Sequence, residues 1–81
     1  MQYIDLYTRP GCPYSYMLRW RLRTQRIAYR EIDIRRDADA AARVRAVADG
    51  NETVPTVFVG GRWMVNPTIE EVVAAMPSAL S

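Results

Sequence analysis

One nucleophile stands out in the chain by its setting. Cys12, the only cysteine, sits in the stretch Tyr7-Thr8-Arg9-Pro10-Gly11-Cys12-Pro13-Tyr14-Ser15. Pro10, Gly11 and Pro13 interrupt the strand-like run before it. Pro13 suits the first turn of a helix, where its missing N–H costs nothing. The sulfur then lies at a helix N-terminus, where unpaired backbone N–H groups and the positive end of the helix dipole favour a thiolate. Arg9, three residues earlier, adds a positive charge. Such settings lower a cysteine pKa from ~8.5 into the range ~3.5–7.5. A thiolate there attacks disulfide sulfur. The competing reading is a small, inert, buried thiol, which a loop with two prolines and a glycine does not favour. Three residues beyond Cys12, where a resolving thiol of a redox pair would stand, is Ser15. A hydroxyl cannot resolve a mixed disulfide, so a second thiol must come from outside the chain.

Composition narrows the alternatives. The chain has 81 residues, which suits a single domain over 1–81. One cysteine forms no internal disulfide, and the lack of histidine excludes His-based metal sites and a Cys-His nucleophile pair. We expect no metal site. No apolar run approaches the ~20 residues that span a bilayer, and no basic-then-apolar leader opens the sequence. We therefore expect a cytoplasmic monomer with no membrane partner. All 11 basic residues are arginine, and the net charge is only +2. Acidic residues are dispersed among the arginines, so no basic stripe points to nucleic acid. Arg19, Arg21, Arg23 and Arg26 crowd around Trp20. They read as a solvated face with a partly buried tryptophan.

The elements that must hold the loop are strand, helix, strand, helix, strand, strand, helix. Residues 2–7 alternate apolar and other side chains, as a strand does. A helix starts at about Cys12, with Tyr14, Met17, Leu18, Leu22 and Gln25 as its inner stripe. Residues 27–34 form the second strand. Asp37 or Asp39 caps a second helix, Gly50 ends it, and Ala40, Val44, Val47 and Ala48 face inward. Thr53 to Val65 reads as two strands joined by Gly60-Gly61, a tight hairpin signal. In the second of them Trp63 and Met64 read as core. Asn66 caps the last helix, Pro67 takes its first turn, and Glu70 and Glu71 complement its dipole. Residues 77–81 read as a loose tail. Strand–helix–strand implies a parallel pair, and the hairpin adds an antiparallel one. The fold class is α/β, a mixed four-stranded sheet flanked by three helices in the order βαβαββα.

Thr53-Val54-Pro55 is a second feature. A proline at a strand start can simply open the strand. Only ~5–6% of X–Pro bonds are cis, so the residues alone favour a trans Val54–Pro55 bond.

Taken together, "GCPYS" after Tyr7-Thr8, "TVP" at 53–55 and "GG" at 60–61 resemble the glutaredoxins of the thioredoxin fold, over nearly the whole chain. The stretch "DGNETVPTVFVGGRWMVNPTIEEV" is most similar to the mycoredoxin branch, which works with mycothiol. The resemblance implies a thiol–disulfide oxidoreductase. Cys12 would be the attacking thiolate. Arg9, Pro13, Tyr14 and Ser15 would shape the loop and meet the small thiol. Thr53 and Val54 would offer backbone hydrogen bonds, and Pro55 would be cis beside Cys12. Glutathione-using members carry an acidic residue after the Gly-Gly hairpin; here the chain reads Val65-Asn66-Pro67, with no Asp following. That favours mycothiol over glutathione as co-substrate, with no tightly bound cofactor. The partners implied are proteins carrying mixed disulfides, the low-molecular-weight thiol, and a reductase that recycles its disulfide. Ser15 implies a monothiol route. Two alternatives stand beside it: an iron–sulfur cluster binding or transfer module, and a dithiol enzyme whose resolving cysteine is replaced by Ser15.

Overall fold

The structure is a computed structural model that describes residues 4–76. Four strands form one sheet in the order β2-β1-β3-β4. β1 (Asp5–Thr8) pairs parallel with β2 (Arg30–Asp33) and antiparallel with β3 (Thr56–Val59). β4 (Arg62–Val65) closes the hairpin with β3. Gly60 and Gly61 turn it with φ of 58° and 77°, a left-handed pair that side chains resist. The mixed sheet, the three helices and the βαβαββα order match the pattern read from the sequence.

Strand alternation divides the core in two. On one face, Leu6, Val57 and Val59 pack against Leu18 and Leu22 of α1 (Pro13–Thr24) and Ile69 and Val72 of α3 (Ile69–Ala75). On the other, Tyr7 and Ile34 pack against Ala40, Ala41 and Val44 of α2 (Ala38–Val47), with Phe58 and Trp63 beside them. Trp63 lies 5.4 Å from the Tyr7 ring and 4.8 Å from Phe58, centroid to centroid. Trp63 and Met64 are thus partly buried against the two clusters.

Several boundaries differ from the sequence reading, each for a local reason. β2 starts at Arg30 rather than at 27, because its parallel register is fixed from Asp5↔Arg30. The inner stripe of α1 is Ser15, Leu18 and Leu22. Tyr14 and Met17 lie one position off that stripe and are exposed, and Gln25 is already the C-cap. Val47 is only half buried, and Ala41 takes its place in the core. Asp37 caps α2, its carboxylate accepting from the Ala40 N–H at 3.0 Å. The cap of α3 is Thr68, not Asn66. Thr68 Oγ1 accepts from the Glu71 N–H, and the Glu71 carboxylate accepts from the Thr68 N–H at 2.8 Å. Asn66, at φ 49°, turns the chain ahead of it. Trp20, read as partly buried, is 64% exposed. Residues 2–3 of the first predicted strand, and the predicted tail at 77–81, lie outside the described residues.

Candidate active site

β1 ends at Thr8, and the chain turns through Gly11 at φ 88° into α1. Cys12 is the N-cap, with extended backbone, and Pro13 opens the first turn. The Cys12 N–H donates to the Arg9 carbonyl at 3.3 Å, and the Gly11 N–H donates to Tyr16 Oη at 3.1 Å. Tyr16 therefore ties the loop to its own helix. The thiol is half buried and donates to the Val54 carbonyl at 3.6 Å. Val54–Pro55 is a cis peptide, as the resemblance implied and against what the residues alone favour. The "CPYS" and "TVP" stretches thus meet across 42 residues of chain at one sulfur.

Electrostatics at the sulfur pull both ways. Partial burial is the largest influence and pushes the Cys12 pKa up. The Ser15 hydroxyl, the Ser15 and Tyr14 backbone N–H groups and the Arg9 charge, in that order, pull it down, and together they win. The thiol is held below its ordinary pKa. Ser15 matters in a second way. Its Oγ is buried and makes no hydrogen bond among the described residues. The thiol donates elsewhere, to Val54. A thiolate at Cys12 would offer that hydroxyl an acceptor.

Around the sulfur, the sequence-predicted residues separate. Arg9, Pro13, Tyr14, Ser15, Val54 and Pro55 surround Cys12 or its loop. Thr53 is less available, because its carbonyl accepts from Thr56 Oγ1 at 2.7 Å. Arg9 is not a free charge: it pairs with Glu52 at 2.7 Å, and Arg45 holds the other Glu52 oxygen at 2.6 Å. Sequence reasoning does not find Glu52, whose place directly before Thr53-Val54-Pro55 carries no meaning until the fold brings Arg9 and Arg45 to it. Asp5 pairs with Arg30, and Asp33 with Arg35 and Arg36. A groove of about 470 Å³ runs from Tyr14, Met17 and Arg21 to Asn66, Pro67 and Thr68, between α1 and the start of α3. Met17, Arg21 and Thr68 were not read as site residues. Among the described residues no group of three or more His, Cys, Asp or Glu side chains is placed to hold a metal, and no helix is long and apolar enough to cross a membrane.

A mixed four-stranded sheet flanked by three helices, with a cysteine at the N-cap of the first, is a thioredoxin-fold arrangement. The crystal structure of the thioredoxin-like protein BC3987 matches with a TM-score of 0.77 at 30% identity, over 90% of this chain and 99% of that one. The glutaredoxin family model matches residues 4–64. A Mycobacterium tuberculosis protein that bears the name glutaredoxin is 42% identical over 74 residues, 90% of this chain and 88% of that one. Mycoredoxin 1 of Corynebacterium glutamicum is 37% identical over 75 residues, 91% of this chain and 92% of that one. The chain belongs to the glutaredoxin family and is a thiol–disulfide oxidoreductase.

Proposed function

We propose that the chain reduces mixed disulfides between proteins and a low-molecular-weight thiol by a monothiol route through Cys12. The observation that carries this is the pairing of a pKa-lowered N-cap thiol with a buried hydroxyl, Ser15, in the resolving position. In the first step the Cys12 thiolate attacks the small-thiol sulfur. The mixed disulfide breaks, the protein leaves as a thiolate that takes up a proton, and the small thiol stays disulfide-bonded to Cys12. In the second step a further small-thiol thiolate attacks that adduct. The small-thiol disulfide departs and Cys12 is regenerated. A recycling reductase acts on the disulfide released. No tightly bound cofactor is needed.

Each site residue has a role in this reading. The Ser15 hydroxyl and the Tyr14 and Ser15 N–H groups hold the thiolate. Pro13 fixes the first helical turn behind it. Val54 N–H, which makes no hydrogen bond among the described residues, and the Val54 carbonyl receive the backbone of the incoming thiol. Thr53 and cis-Pro55 hold that edge in place. Tyr14 walls the groove toward α3, which takes the body of the small thiol.

Mycothiol is favoured over glutathione. Glutathione carries two carboxylates, whereas mycothiol is uncharged and rich in hydroxyls. The start of α3 offers the hydroxyl- and amide-bearing Thr68 and Asn66 beside Glu70, Arg21 is the one cation among the groove's lining residues, and Arg9 is already engaged by Glu52. The similarity to a mycoredoxin supports the same choice. The chain is taken as one glutaredoxin-like domain over 1–81, a cytoplasmic monomer. Competing mycothiol-loaded and glutathione-loaded forms of one peptide test the preference. A higher kcat/KM for the mycothiol form is the expected result, and equal or reversed values would sink it.

A further inference from the structure

A pair of exposed aromatic side chains lies on α1, away from the groove. Trp20 is 64% exposed and Tyr16 46%, one helical turn apart on the face opposite Leu18 and Leu22. Arg19 and Arg23 flank them, and the four side chains enclose a shallow hollow of about 250 Å³. A solvated face does not need an exposed tryptophan, and large exposed apolar side chains gathered at one place mark interaction sites. The Tyr16–Arg19 half of the face is also held in place before any partner arrives. Tyr16 Oη accepts from the Gly11 N–H, the Arg19 guanidinium stacks 4.8 Å over the Tyr16 ring, and Arg19 is itself held by Glu31 at 3.0 Å. Aromatic anchors and arginine with little freedom left to lose are the residues that dominate binding.

Charge selects the partner. α1 contains no acidic residue, and neither Arg23 nor Arg26 at its end makes an ion pair among the described residues. The face therefore complements an acidic surface. Two observations favour a protein over a nucleic acid strand. One side of the Tyr16 ring is already covered by Arg19, so it is closed to base stacking. Glu31 and Asp33 border the Arg19 side, so no continuous basic path runs along a phosphate backbone. The face also begins at the reacting sulfur: Tyr16 and Trp20 are four and eight residues beyond Cys12, about 6 and 12 Å along a helix rising ~1.5 Å per residue.

We propose that the Tyr16–Trp20 face of α1 docks the protein half of the mixed disulfide, selecting substrates whose disulfide is flanked by an acidic segment carrying an aromatic or aliphatic anchor. This rests on the reading that the enzyme acts on protein mixed disulfides. The anchor seats on Trp20 while the acidic residues meet Arg23. The gain is mainly in encounter and registration, so it weakens with salt.

The test uses two peptides bearing the same small-thiol mixed disulfide, one with Glu and Leu flanks and one with Lys and Leu flanks. The expected result is a kcat/KM about tenfold higher for the acidic peptide, falling toward parity in high salt. Trp20→Ala and Arg23→Glu should each remove most of that preference. Both should leave turnover of a small mixed disulfide without a peptide unchanged. Parity between the peptides, or equal losses on the small disulfide, would overturn the proposal. A thioether version of each peptide, titrated by fluorescence, reads docking without chemistry. If no disulfide turns over but the thioether preference persists and Arg23→Glu abolishes it, the docking face stands and the reaction reading fails. Displacement of the acidic thioether peptide by a short single-stranded oligonucleotide at equal concentration would overturn the choice of a protein partner. A dimer in sedimentation that Trp20→Ala dissolves would overturn it in favour of a second copy.

Discussion

Cys12 is set by groups acting in opposite senses, so single changes should move it in ordered amounts. Ser15→Ala removes the first of the lowering influences and Arg9→Gln the last. Both should raise the thiol pKa, Ser15→Ala by more, as read from thiolate absorbance against pH; the reverse order would contradict the geometry. Glu52→Gln should do the opposite, because it releases Arg9 from its pair. Ser15→Ala should also stabilise the protein in acid. There the thiol is protonated and the buried hydroxyl has no partner, a deficit worth ~1–3 kcal/mol. The sign of the pH dependence follows from a depressed folded-state pKa. Ionised Cys12 contributes stability that is complete above the ordinary thiol pKa and is lost as pH falls through the lowered one. Urea unfolding across that window should show the slope, and Cys12→Ser should flatten it. Position made Cys12 legible in the sequence, since Pro13 alone placed it at a helix start. Glu52 was not legible, because its meaning depends on Arg9 and Arg45 arriving from separate elements.

At the scale of elements, the site depends on where helices begin. Thr68 and Glu71 cap α3 reciprocally and fix the far wall of the groove. Thr68→Ala should cost about 1 kcal/mol in urea unfolding, with little change at Cys12. Asn66→Ala should not show a capping loss. The sequence held this signal, since Thr68 and Glu71 have capping-box spacing. Asn66-Pro67 offered a second plausible start, and only packing of Ile69 and Val72 into the core decides between them. The stripe of α1 was misread for a related reason. Tyr14 and Met17 differ from Leu18 and Leu22 by one step around the helix, and hydrophobicity alone does not say which step faces the sheet. Strand alternation and the Gly60-Gly61 turn were unambiguous, because period-two patterns and left-handed glycines admit few alternatives. Leu22→Ala, at a fully buried position, should cost ~2–5 kcal/mol.

For the whole molecule, the proposed monothiol route has the chain hold half of a redox couple and borrow the rest. The fold brings "CPYS" and "TVP" to one sulfur, but no residue supplies a resolving thiol. Trp20 on the surface and Ser15 in the interior are places where composition rules alone mislead, and both lie on the helix that carries Cys12. The direct test is to mix reduced protein with a peptide carrying a mycothiol mixed disulfide, quench in acid, and measure the intact mass. The protein should gain one mycothiol, release free peptide, and return to its original mass on addition of free mycothiol. An unchanged mass, or a protein covalently joined to the peptide instead of to the small thiol, would contradict the monothiol route through Cys12.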